Sequence, residues 1–209
     1  MYAIVEKLAR RQRFPLTERR NSMEIKKVSR GKSKNDWLEA GLNVLGTASV
    51  AEISIEALAK GLGIAKSGFY WHFKDRREFL NQLLDYWYRE IIEVIADNDQ
   101  LNRLDPVTRL ITAVEMIFRH DLVKYELALH QWARTDKLAD KVMRKANRVR
   151  FEYAKTIFSE LGFNDDEIEI RSMLTLTYQL WEKPTLNRIV SRKRRKELIR
   201  KRIQFLTSK

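Results

Sequence analysis

Within eleven consecutive residues the chain sets out Lys66, Ser67, Tyr70, Trp71, His72 and Arg76, side chains that donate hydrogen bonds or carry positive charge. Such groups suit contact with DNA. A lysine ammonium can bond guanine O6 and N7, a tyrosine hydroxyl or histidine N–H can donate to a phosphate oxygen, and an arginine near a helix start adds charge. Their spacing predicts a shared surface: at 100° per residue Phe69 and Phe73 fall on one side, Ser67, Tyr70 and Trp71 point away, and Lys66 lies on the boundary. Catalysis has far less to work with. The three histidines, His72, His120 and His130, have no serine- or cysteine-centred partner set. His120 with Asp121, and Glu126 with His130, each offer two metal ligands, short of the three or four that a zinc site requires. No glycine-rich phosphate loop occurs, so neither an enzyme, a metal nor a cofactor is implied.

The surface needs elements to hold it. Ile55, Leu58, Ala59 and Leu62 stand at i, i+3, i+4 and i+7, one apolar stripe of a short helix with Ser54 as N-cap. Gly63 follows where the chain must turn sharply, and glycine tolerates the positive φ common at helix C-termini. A second, very short helix from Ala65 buries Phe69 and Phe73. Two short helices across a tight turn, the second exposing hydrogen-bonding groups, form a helix-turn-helix of the kind that lays its second helix in the major groove.

Residues 63–80, GIAKSGFYWHFKDRREFL, resemble the DNA-binding domain of the TetR family of bacterial repressors, in which a Gly, a Tyr-x-His-Phe-like run and a basic start to the next helix recur at this spacing. The resemblance covers about residues 33–97. It implies that Lys66, Ser67 and Gly68 occupy base-reading positions and that Tyr70, Trp71, His72 and Arg76 grip phosphates, with Ser54 and Lys74 completing the DNA-facing set. It also implies a homodimer on a palindromic operator, most simply a cytoplasmic repressor released by a small ligand. Gly68 departs from the family, where many members carry Thr or another side chain. A glycine reads no base, so specificity is expected to lean on Lys66, Ser67 and the preceding helix, where Glu56 could accept from cytosine N4.

Of 209 residues only seven are Gly and three Pro, and apolar residues recur at helical spacing almost throughout, so an all-α fold is expected. There is no cysteine, which excludes disulfides and thiolate metal sites and fits a reducing cytoplasm. No apolar run approaches the roughly 20 residues of a membrane-spanning helix. The net charge of +13 is unevenly placed. Residues 1–34 hold 11 Lys/Arg against 3 Glu and residues 183–209 hold 11 against 1, while the middle, with 19 Lys/Arg against 24 Asp/Glu, is acidic. Basic ends attract phosphate. They also support an alternative reading, a basic architectural protein that coats nucleic acid without sequence preference.

The expected organisation is a basic, poorly ordered extension at 1–32, a DNA-binding head at 33–80 and a helical regulatory and dimerisation body at 81–209. No apolar core of a secretory or transit peptide follows the first positive charges. Met23 lies about ten residues before the first convincing helix, the usual lead-in for the family, and an alternative start there would leave residues 1–22 outside the native protein. Leu38, Leu42 and Leu45, with Trp37 beside them, form a support helix. A connecting helix should run from near residues 74–75 to about 96 with Phe79, Leu83, Trp87, Ile91, Val94 and Ile95 as its buried side.

In the body, Pro106 opens a helix carrying Leu110, Val114, Ile117 and Phe118; Leu122, Tyr125, Leu129 and Trp132 mark a second; Leu138, Val142, Ala146, Val149, Tyr153 and Leu161 mark a long third closed by Gly162. The helix after Asn164 has Arg171, Thr175 and Gln179 as its one polar strip and more apolar surface than a monomer covers. Tyr153, Ile170, Met173, Leu174, Tyr178 and Trp181 are therefore expected at a dimer interface. Trp87, Met116, Tyr125, Trp132 and Tyr178 are expected to converge on a pocket for a hydrophobic or aromatic effector. After Pro184 the pattern is open: Leu186, Ile189 and Val190 begin a helix and Ile199, Ile203 and Leu206 finish one, but seven polar residues from Ser191 to Glu197 interrupt any single buried face.

Overall fold

Ser33 starts the first helix by a reciprocal pairing. In the computed structural model, which describes residues 31–209, the Asp36 N–H donates to Ser33 Oγ at 3.2 Å and the Ser33 N–H donates to Asp36 Oδ2 at 2.7 Å. Two N–H groups that a helix start leaves orphaned are satisfied. α1 (Lys34–Leu45) buries Trp37, Leu38, Leu42 and Leu45. The extension expected at 1–32 lies, up to residue 30, outside the described residues.

After a 3-10 turn at Val50–Glu52, α2 (Ile55–Leu62) begins under Ser54, whose Oγ accepts from the Ala57 N–H at 3.1 Å. It ends at Gly63 with φ 70°, a left-handed turn that suits glycine. The second helix of the motif is a 3-10 helix, Lys66–Trp71. Phe69 and Phe73 pin it down. Ring centroids stand 5.3 Å apart for Trp37–Phe69, 5.0 Å for Phe69–Phe73 and 5.0 Å for Phe73–Phe79, so rings from α1, the 3-10 helix and α3 (Arg76–Trp87) form one buried cluster. Arg76, at the start of α3, reaches back: Nε donates to the Ile53 carbonyl at 2.9 Å and Nη2 to that of Val50 at 2.8 Å.

Beyond Trp87 the connecting helix passes through a π-helical turn, Tyr88–Glu93, and a last α turn, Val94–Ala96. Phe79, Leu83, Trp87 and Ile91 are buried as expected, joined by Leu80, Leu84, Tyr88 and Ile92. The wider turn shifts the helical register and brings Ile92 inward, which leaves Ile95 half-buried. The side chain of Val94 lies outside the described residues.

α4 (Asp99–Asn102) is a single turn. α5 (Pro106–Arg119) has Pro106 in its first turn and Asp105 as cap, accepting from the Thr108 N–H at 3.0 Å. Asp121, at φ 52°, leads into a 3-10 turn at Leu122–Tyr125, and α6 (Glu126–Ala133) comes next. α7 (Lys137–Glu160) closes through Gly162 at φ 75°. Its buried residues are Ala139, Met143, Ala146, Ala154, Ile157 and Phe158, whereas Leu138 is exposed. α8 (Asp165–Leu186) starts under an Asn164 capping box and α9 (Arg192–Thr207) is the last helix. Among the described residues there is no strand, and no helix is long and apolar enough to cross a membrane. The fold is all-α.

One apolar cluster runs from Trp37 through Leu83, Trp87 and Ile91 to Tyr125, Leu129 and Met143, so the core does not break near residue 80. A second joins Leu110, Ile157, Phe158, Phe163, Ile199, Ile203 and Leu206. The polar run before Ile199 does not interrupt the buried face of α9, because Arg195 is itself buried and in register with Ile199, Ile203 and Leu206. Its guanidinium stands 5.9 Å from the Phe118 ring centre, Nη2 donates to Asn187 Oδ1 at 3.1 Å, and the buried Glu182 carboxylate is 4.0 Å away. Arg202 stacks 4.0 Å from the Tyr178 ring centre and donates to Gln179 Oε1 at 3.2 Å and Glu182 Oε2 at 3.5 Å. The C-terminal helix is thus docked on the body.

Two substitutions test this framework. A Cβ on Gly41 would stand 2.7 Å from Phe79 Cζ and 3.2 Å from Leu83 Cδ2. Alanine gains about 1 kcal/mol in helix preference, but crowding a packed core costs about 1–3 kcal/mol, and the Phe79 ring is held by its aromatic neighbours. Gly41→Ala should therefore lower the urea midpoint. Arg76→Ala removes both hydrogen bonds, although the Val50 carbonyl keeps the Ile53 N–H, and should destabilise by about 1–2 kcal/mol in the same measurement.

Candidate nucleic-acid interface

The 3-10 helix presents Trp71, 86% exposed, and Tyr70, 53% exposed, with Ser67 and Lys74 also open to solvent. Phe69 beneath them is fully buried. A six-residue 3-10 helix has little stability of its own, so the shape of this surface is set by the ring cluster below it.

Lys66 and Glu56 form an ion pair between the starts of the two helices of the motif. The hydrogen bond from Lys66 holds the Glu56 carboxyl below the usual carboxylate range, and the same bond raises the Lys66 ammonium, so both stay charged at neutral pH. Lys66 must exchange this partner to reach a base. His72 Nε2 lies 2.9 Å from the Lys32 carbonyl, an arrangement in which that nitrogen carries the proton and donates. The ring thereby anchors the segment entering α1, leaving Nδ1 for an outside partner. Arg76 likewise spends Nε and one Nη2 hydrogen on loop carbonyls, and only its remaining N–H groups are left for a phosphate. Ser54 Oγ accepts within its own cap and keeps its O–H to donate.

Gly68 is half-buried, and a Cβ there would meet Ile64 Cδ1 at 3.4 Å and Trp37 Cζ2 at 3.9 Å, ordinary contacts without a positive φ. Nothing in the fold requires glycine at this position. Sequence reasoning named Lys66, Glu56, His72 and Arg76 but missed their bonds to one another and to the backbone. Glu56 and Lys66 each stand at the start of one helix of the pair, and that placement was the one available signal.

The body holds a partly open cavity of about 100 Å³ between the π turn, α5, α7 and α8, with Ile91, Ile92, Val114, Tyr153, Thr175 and Gln179 among its walls. None of the five expected pocket residues lines it. Trp87, Met116, Tyr125 and Trp132 are buried core, and Tyr178 lies under Arg202. Large aromatic side chains fill space; the cavity occurs where shorter aliphatic ones meet. Burial pushes the Tyr125 hydroxyl up to about 12, as befits a core phenol.

α8 is turned with its polar residues inward. Ser172, Gln179 and Glu182 are buried, while Ile170, Met173, Leu174 and Trp181 form an exposed apolar face. Two residues expected on that face are not part of it: Tyr153 lines the cavity and Tyr178 is capped by Arg202. His130 packs against Trp181 with ring centres 5.4 Å apart. Among the described residues no three His, Asp or Glu side chains converge as a metal site.

Residues 38–83 match the sequence profile of bacterial regulatory proteins, tetR family. No curated protein matches the chain by sequence. Among solved structures, a transcriptional regulator from Rhodococcus sp. Rha1 superposes with a TM-score of 0.67 at 15% identity, covering 84% of this chain and 96% of that one. A TetR/AcrR-family regulator from Thermobifida fusca YX-ER1 gives 0.57 at 16%, covering 84% and 96%, and a regulator from Aquifex aeolicus VF5 gives 0.56 at 18%, covering 82% and 95%. These likenesses extend the shared fold from the head into the body. Residues 38–83, the segment that holds the helix-turn-helix, are thus similar to bacterial regulatory proteins of the tetR family.

Proposed function

We propose that the chain is a homodimeric cytoplasmic repressor, without enzymatic activity, that binds a near-palindromic operator and is released by a small ligand. Residues 33–80 act as the DNA-binding head and 81–209 as the regulatory and dimerisation body. The observation that carries the reading is the exposed, donor-rich 3-10 helix at Lys66–Trp71, with Trp71 almost wholly in solvent above a buried ring cluster. Lys66 and His72 have partners within the fold, while Ser67 and Trp71 face outward. Lys66 and Ser67 read bases; Tyr70, Trp71, Lys74, Ser54 and the remaining N–H groups of Arg76 contact the backbone, while His72 holds the segment entering α1 beside them.

Dimerisation is supported by the outward apolar face of α8, where Ile170 is 56% and Leu174 51% exposed. A second copy related by a two-fold axis covers that face with the same face. Ligand release is supported by the connecting helix: its π turn supplies Ile91 and Ile92 to the cavity, and its first residue is Arg76, directly after the motif. A ligand that displaces that turn moves the head.

With two motifs in successive major grooves, the operator is an inverted repeat whose half-site centres are about 34–36 Å apart or a multiple of it. Lys66→Ala should weaken a selected operator by about 1–3 kcal/mol and random DNA much less. Tyr70→Phe should weaken both alike. Fluorescence anisotropy at two salt concentrations on operator and scrambled duplexes decides this, and equal losses for Lys66→Ala on both would favour a non-specific coat instead. Leu174→Glu should shift the sedimentation profile from dimer toward monomer; an unmodified protein that is monomeric at micromolar concentration would rule out the dimer.

A further inference from the structure

The body cavity has chemistry that packing does not explain. Its walls are mostly aliphatic, and the polar side chains among them are Arg150, Tyr153, Thr175 and Gln179. The Tyr153 hydroxyl and Thr175 Oγ1 are buried and have no hydrogen-bond partner within the protein. Phenylalanine and valine would occupy the same space without leaving a polar group unpaired, which is the costly condition for a buried hydroxyl.

The other two polar groups are already committed. Arg150 donates from Nη1 to Glu126 Oε2 at 3.2 Å and from Nη2 to Glu126 Oε1 at 2.5 Å, with Nη1 also on Asn147 Oδ1 at 3.2 Å. Glu126 is 1% exposed, so the two charges cancel inside the protein. Gln179 Oε1 accepts from Arg202, which leaves its amide N–H groups as the function it can offer. Burial raises the Tyr153 phenol above its ordinary range, so it stays a protonated donor at physiological pH. The wall therefore offers hydrogen-bond donors without surplus positive charge. A carboxylate entering here finds no unpaired cation and loses its hydration. A hydrocarbon leaves both hydroxyls unpaired.

We propose that this cavity binds a small neutral carbonyl compound, such as a compact ketone or lactone, whose oxygen accepts from the Tyr153 and Thr175 hydroxyls while its aliphatic body lies against Ile91, Ile92 and Val114. The proposal rests on the reading that the body takes an effector. A volume of about 100 Å³ is less than the about 150 Å³ that accommodates benzene, but the cavity is not fully closed, so one small ring can enter with part of it toward the opening.

Calorimetric titration of the full-length protein with cyclohexanone, methylcyclohexane and cyclohexanecarboxylate tests it. Cyclohexanone should bind at least about tenfold more tightly than the other two, and Tyr153→Phe and Thr175→Val should each weaken it about tenfold. The same variants should melt at the same or a higher temperature than the unmodified protein when no ligand is added, because each removes an unpaired buried hydroxyl. Equal binding of methylcyclohexane, preference for the carboxylate, no binding of cyclohexanone, or a lower melting temperature in both variants would overturn the proposal. Cyclohexanone binding that leaves operator affinity unchanged supports the ligand class and removes the release mechanism. Operator release by the carboxylate alone does the reverse.

Discussion

The packing of Phe69 and Phe73 against Trp37 and Phe79 is the constraint on which the head depends. Six residues of 3-10 helix cannot hold their shape in water by backbone hydrogen bonds alone, since helix formation has a costly nucleus and short segments do not repay it. The rings supply the missing free energy and fix the azimuth of the surface above them. Gly41 makes room: without a side chain there, the Phe79 ring lies directly against the backbone of α1. Arg76 and His72 then fasten the two loops that flank the cluster. Their charge and hydrogen-bonding capacity serve the scaffold as well as any outside partner.

Much of this head could be read from the chain because its signals are local. Ser54 as a cap, Gly63 as the left-handed turn, and Phe69 and Phe73 as the buried pair all derive from periodicity and the conformational limits of single residues. The bonds from Arg76 to Val50 and Ile53, and from His72 to Lys32, span more than twenty residues and obey no period. Gly41 carries no signal in the sequence, because a requirement for absent atoms leaves no mark in a hydrophobic pattern. In the body, the aromatic residues expected around a pocket do not line the cavity described above, for a simple reason. Trp87, Tyr125 and Trp132 are large enough to complete their own packing, and space remained where isoleucine, valine and alanine could not.

The two C-terminal helices show how charge can substitute for apolar surface. Seven polar residues in a row argued against a continuous buried face on α9, yet Arg195 continues that face by laying its guanidinium near the Phe118 ring and beside Glu182. An arginine has enough apolar stem to pack like a hydrophobic residue while its head finds a carboxylate. The same cluster accounts for the inward turn of the polar side of α8: Glu182 and Gln179 are needed inside to meet Arg195 and Arg202. Ile170, Met173, Leu174 and Trp181 then face outward, while Ile168 and Leu180 stay buried.

The π turn at Tyr88–Glu93 gives the connecting helix uneven mechanical properties along its length. Hydrogen bonds in a π turn span one more residue than in an α-helix, and the turn is wider, so the segment is softer in torsion than the regular α turns of Arg76–Trp87. A twist applied to such a rod is not shared evenly along it. It concentrates at the compliant segment, and the stiff portion beyond rotates as one piece. Because the compliant segment also forms a wall of the body cavity, the protein places its least rigid joint and its internal space at the same point on the shaft.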